Sequence, residues 1–162
     1  MTWSKIRHKL ENEYLADALK GRITYFCTTY TSAPDHNGRA AIRLDGKEIV
    51  EGSYYEQWSK AHLIPKGENY EARMKPGFRV VDDTALKFGQ FDQTVFYKAF
   101  EIFDSEKIED SLKSDNALVR IFAILDRRVG KRTLLRLKEN IEEEPEIFRL
   151  FFSIRAEAEG LI

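Results

Sequence analysis

Apolar residues along this chain change their spacing twice. Trp3, Ile6, Leu10, Tyr14 and Ala18 recur every three or four positions, which predicts a helix capped by Thr2 and stopped at Gly21. From Arg22 the period falls to two. Ile23, Tyr25, Cys27 and Thr29 take one side, and Thr24, Phe26, Thr28 and Tyr30 the other. The run is β-branched and aromatic, so it predicts a strand. A turn-rich loop follows from Ser32 to Gly38. Asp45-Gly46 then marks a two-residue hairpin. Its register sets Leu44 against Lys47, Arg43 against Glu48, Ile42 against Ile49 and Ala41 against Val50. Three such strands make an antiparallel meander with the first helix over its apolar face.

Tyr54 to Ile64 reads as a short helix ended by Pro65-Lys66-Gly67, and Phe78 to Val81 as a fourth, edge strand running into a turn at Asp82-Asp83. Helical spacing returns with the stripe Phe88, Phe91, Val95, Ala99, Ile102 and Phe103. Ser105 stands where it would cap a short helix carrying Ile108 and Leu112. Asp115 stands likewise before Ala117 to Leu125, an apolar run that only Arg120 interrupts. A helix apolar nearly all round is a buried one. The next helix runs from Arg132 to Asn140, with Leu134, Leu135, Leu137 and, just beyond it, Ile141. The last begins at Pro145, carries Ile147, Leu150, Phe151, Ile154 and Ala158, and ends at Gly160. The fold class is therefore α+β: an N-terminal helix on a three- to four-stranded antiparallel meander, then a helical C-terminal half of about four to five helices. No linker divides the chain, which points to one compact unit with two lobes, about 1–83 and about 84–162.

Composition narrows the function classes. Of 162 residues, 43% are hydrophobic and 33% charged, a globular balance. Lysine and arginine number 26 against 27 acids, for a net charge of −1. That argues against wholesale electrostatic binding to nucleic acid or membrane, and leaves room for a local patch. The apolar run Ala117–Leu125 is less than half the ~20 residues a membrane helix needs. The basic residues at the N-terminus have no apolar stretch behind them. Cys27 is alone, which excludes a disulfide scaffold and fits a reducing compartment. The reading is a cytoplasmic protein of open oligomeric state.

Chemistry-bearing motifs are few. His8, His36 and His62 have no ligand partner at metal-helix spacing, so no zinc site is expected. Cys27 in mid-strand reads as a core thiol. His36, between Asp35 and Asn37, reads as a turn histidine. Adjacent Asp82 and Asp83 point apart on an extended segment, which favours a turn over a cation site. Gly130-Lys131-Arg132-Thr133 lacks the earlier glycine of a phosphate loop, and no cofactor motif is present. An enzyme would need a site assembled between the lobes, around His36 or Asp82-Asp83. Tyr55 and Trp58 are candidates for a ligand groove, or else pack a short helix onto the sheet.

Charge is segregated at one place. Asp126 to Lys138 carries six basic residues and one acid, and Glu139, Glu142, Glu143, Glu144 and Glu146 follow. Three readings stand. In the structural one, Arg127 and Arg128 meet the negative end of the preceding helix, Asp126 pairs with Lys131 or Arg132, and the same arginines partner Glu142 to Glu144. In the second, Arg127, Arg128, Lys131, Arg132 and Arg136 form a contact surface for a partner protein's carboxylates. In the third, the helix start at Lys131–Thr133 binds phosphate, with the acid block weighing against a long polyanion such as nucleic acid.

Met1-Thr2-Trp3-Ser4-Lys5, Ala18-Leu19-Lys20-Gly21-Arg22 and Ile124-Leu125-Asp126-Arg127-Arg128-Val129-Gly130-Lys131-Arg132 resemble a family of small bacterial proteins of unknown function, over about residues 2–50 and 106–152. The resemblance implies a bacterial, intracellular protein and carries over no catalytic set. The leading expectation is a non-enzymatic protein-interaction module. The alternatives are a small enzyme with a site between lobes, or a weak nucleic-acid or phosphate binder through the 127–136 segment.

Overall fold

Thr2 opens helix α1 (Trp3–His8) by accepting the Lys5 amide on its side chain at 3.4 Å. In this computed structural model, which describes residues 1–28, 38–53, 91 and 93–162, the helix continues as a π-helical segment, Lys9–Tyr14. It does not run on to Gly21 as the spacing predicts. Leu15 turns extended and bridges Asp126, with the Ala16 amide donating to the Leu125 carbonyl at 2.9 Å and the Arg127 amide to the Tyr14 carbonyl at 2.7 Å. Pairing with a distant strand of backbone has displaced the last helical turns. A 3₁₀ turn at Asp17–Leu19 follows, and Gly21 (φ +80°) reverses the chain.

Strands β1 (Ile23–Cys27), β2 (Arg39–Leu44) and β3 (Lys47–Ser53) pair antiparallel in the order β1-β2-β3. Asp45 (φ 52°) and Gly46 (φ 83°) both take the left-handed conformation that the tight hairpin requires. Arg22 grips that turn, donating from Nε and Nη2 to the Asp45 carboxylate at 3.1 Å each. Leu44 faces Lys47 and Arg43 faces Glu48, as expected. Beyond them the expected register is wrong: a bulge sets Ile42 against Val50 and Ala41 against Glu51. The extra residue is Ile49. With it, Val50 turns into the core while Ile49 still packs at its edge, so two apolar side chains are covered where a regular ladder covers one.

The helical part comprises α2 (Gln93–Ser105), α3 (Ile108–Leu112), α4 (Ala117–Ile124), α5 (Lys131–Lys138), a 3₁₀ turn (Ile141–Glu143) and α6 (Glu146–Ala158). Two caps differ from expectation. Ser105 ends α2 and donates to the Ile102 carbonyl, while Lys107 precedes α3. Asn116, not Asp115, caps α4, accepting the amides of Leu118 and Val119 at 3.0 and 3.2 Å. Pro145 stands just before α6 rather than inside it. Helix α4 is buried nearly all round, as its composition requires. The stripes of α2 and α6 are wider than the sequence reading: Phe96, Phe100, Phe148, Phe152 and Arg155 are also buried, whereas Leu135 and Leu150 are exposed.

Phe96 joins sheet to helices. Its ring centroid lies 6.0 Å from Tyr25 of β1 and 5.3 Å from Phe122 of α4, both edge-on. One continuous core therefore holds Ile23, Tyr25 and Ile42 together with Phe103, Phe122 and Phe151. The fold is α+β, with an N-terminal helix, a three-stranded antiparallel sheet and C-terminal helices. The expected helix at Tyr54–Ile64, the edge strand at Phe78–Val81, the Asp82-Asp83 turn, Phe88 and most of the Ser32–Gly38 loop lie outside the described residues.

Candidate functional site

The basic segment forms an elbow between α4 and α5. A helix end leaves carbonyls without partners, and here they are met by Arg155 of α6. Its Nη1 donates to Ile124 O at 3.0 Å and Asp126 O at 2.8 Å, its Nη2 to Val129 O at 2.6 Å, and its Nε to Glu159 at 3.0 Å. Arg155 is only 3% exposed. It takes the place expected for Arg127 and Arg128.

Asp126 is wholly buried, and its partner is Arg128, not Lys131 or Arg132. Arg128 donates its amide at 2.7 Å, Nε at 3.0 Å and Nη2 at 2.7 Å to that carboxylate. The contact holds the Arg128 pKa above its ordinary value. The same guanidinium lies 5.0 Å from the Tyr14 ring centroid and 5.7 Å from that of Phe103. Behind it, the Tyr14 hydroxyl donates to Asp104, which also accepts from Lys9 Nζ at 3.0 Å. Burial, reinforced by Asp104, pushes Tyr14 up to about 12. Burial alone would raise Asp104, but the Tyr14 and Lys9 hydrogen bonds outweigh it and hold this carboxyl below its usual range. The acid block goes elsewhere than expected: Glu144 to Arg120 at 2.7 Å and Glu142 to Arg149 at 3.1 Å.

Between α3, α4 and α5 lies a cleft of about 560 Å³. Ile108, Leu112, Val129 and Leu137 give it an apolar floor. Lys113, Arg120, Arg128 and Arg136 stand around it with Glu109 and Glu144. Arg120 is fixed there by the Leu112 carbonyl at 2.8 Å, by Glu144, and by the Phe148 ring 3.9 Å away.

The elbow thus divides the five basic candidates. Arg128 and Arg136 line the cleft. Arg127, Lys131 and Arg132 do not; they are exposed and make no ion pair among the described residues. Tyr55 and Trp58 lie outside the described residues, as do His36 and His62. His8 is exposed beside Asn12 on α1 and its continuation. Cys27 is buried on the inner face of β1 with Ile23 and Tyr25. Sequence reasoning passed over Arg155, Asp104 and Lys113. It registered Arg120 only as an interruption, although one cation in an apolar run is itself a sign of a side chain reaching an edge.

Among the described residues no three His, Cys, Asp or Glu side chains converge to hold a metal ion. No described helix is long and apolar enough to cross a membrane. One family model matches residues 2–156, and its description is "SF0329 protein family". No curated protein and no solved structure matches the chain.

Proposed function

We propose that this chain, which belongs to the SF0329 protein family, is a protein-interaction module that docks an acidic partner on the exposed face of the elbow and α5. The observation that carries the reading is a charge without a partner among the described residues. Lys131 and Arg132 occupy the first turn of α5, where the helix dipole is positive and no acid is present. Cations there cost the fold stability and have no ion-pair partner among the described residues. Arg127, one turn earlier in sequence, is equally unpaired among the described residues. Leu135, 49% exposed, sits one helical turn beyond Lys131 and Arg132 on the same face. Arginine forks around an apolar anchor are what carboxylate-bearing protein surfaces bind. We read the protein as bacterial and cytoplasmic, on the lone cysteine and the motif resemblance.

The test is a photo-crosslinking amino acid placed at position 135 in cells, with position 101 on α2 as control. The expected result is a discrete protein adduct at 135 only, abolished by the triple charge reversal Arg127→Glu, Lys131→Glu and Arg132→Glu. An adduct indifferent to the reversal, or none at all, overturns the proposal. So does low-salt binding of a 20-base-pair DNA duplex, by anisotropy, that the same reversal removes, since that assigns the patch to phosphates.

A further inference from the structure

We infer that the cleft between α3, α4 and α5 is a binding site for a small organic monoanion: one carboxylate carried on an apolar body. The site is separate from the docking face, because Arg127, Lys131 and Arg132 do not line it. Its volume, about 560 Å³, falls within the roughly 300–1,000 Å³ typical of small-molecule pockets. Its floor is aliphatic, with Val129 fully buried and Leu112 and Leu137 half-buried.

The charge at the rim sets the class of ligand. Arg120 is neutralised by Glu144, and Arg128 by Asp126. Lys113, Arg136 and Glu109 make no ion pair among the described residues. Two cations against one acid leave about one positive charge, enough for one carboxylate and too little for a polyphosphate.

Arg128 is the preorganised donor. Asp126 engages Nε and Nη2 of a guanidinium already held against the Tyr14 and Phe103 rings, and Nη1 has no hydrogen-bond partner among the described residues. A donor held in place before the ligand arrives loses little entropy on binding. Arg136 adds a second fork, tied among the described residues only to Thr133 at 3.5 Å.

The test uses octanoate, octanol and octylammonium as probes on the ¹⁵N-labelled full chain. The expected result is saturable shift changes at Val129, Thr133 and Leu137 with octanoate, at least tenfold tighter than with octanol, and none with octylammonium. Arg136→Gln, which disturbs no buried pair, should weaken octanoate about threefold or more and leave octanol unchanged. Octanoate that fails to saturate, that shifts other residues instead, that binds no tighter than octanol, or that ignores Arg136→Gln overturns the assignment.

Discussion

Arg128 neutralises the wholly buried carboxylate of Asp126 from two residues away, through side-chain bonds of 3.0 and 2.7 Å within a single turn. The pair is short-range in sequence, so it orders the elbow without closing a long loop. Its two ends differ in exposure: the Arg128 side chain keeps 40% of its surface while Asp126 keeps none. Removing the arginine therefore strands a charge in the interior, whereas the exposed Arg127 side chain has no ion-pair partner among the described residues.

Arg128→Ala should cost about 2–3 kcal/mol, below the roughly 3–5 kcal/mol for breaking a fully buried ion pair because one partner is partly solvated. For a chain of this size that is a fall of roughly 5–10 °C in Tm. Arg127→Ala should change stability by less than about 0.5 kcal/mol. Thermal melts of the two variants check this. Equal losses would mean that Arg127 has a structural partner after all.

Arg155→Ala should be more damaging, about 3–5 kcal/mol, since it leaves the carbonyls of Ile124, Asp126 and Val129 without their buried donor. Arg155→Lys should recover only part of the loss. An ammonium cannot reach three carbonyls with the planar fork that Nη1 and Nη2 provide. Chemical denaturation of both variants gives the comparison.

Much of this architecture is written locally. The Asp45-Gly46 hairpin, the buried helix over Ala117–Leu125 and the Thr2 cap each depend on residues close in sequence, and periodicity or turn chemistry shows them. What the sequence hid depends on distant partners. The break at Leu15 exists because residues 124–127 offer it backbone hydrogen bonds. The bulge at Ile49 puts Val50 into a core built from residues distant in sequence. At the site, the cluster of arginines was visible as composition. Which of them faces the cleft, which faces solvent, and that Arg155 would take over the helix end were decided by packing more than a hundred residues of chain together.

The α4 cap offers a clean contrast between neighbours. Asn116→Ala removes the acceptor for the Leu118 and Val119 amides and should destabilise the protein by about 1 kcal/mol. Asp115→Ala, exposed and outside the cap, should stay within about 0.5 kcal/mol. The reverse order in urea midpoints would place the helix start one residue earlier.

The Lys9–Asp104–Tyr14 cluster should make stability depend on pH at both ends. Asp104 titrates in the folded protein below its unfolded value of about 3.9. Its contribution is therefore present above that value and is lost as pH falls through the lower, folded one. Asp104→Asn should accordingly be less stable than the parent by a constant margin between about pH 5 and 9, and the margin should shrink below pH 4. Tyr14 behaves oppositely. Its folded pKa of about 12 lies above the ordinary value near 10. The unfolded chain then loses its proton first, so this contribution is full below pH 10 and falls away between about 10 and 12. Tyr14→Phe should abolish that alkaline limb and also shrink the acid limb, because the Tyr14 hydroxyl is one of the donors that hold Asp104 ionised and only the Lys9 bond at 3.0 Å then offsets its burial. Denaturation midpoints from pH 3 to 12 read both limbs. A margin for Asp104→Asn that is unchanged at pH 3 would mean that the carboxylate is not held ionised by this cluster.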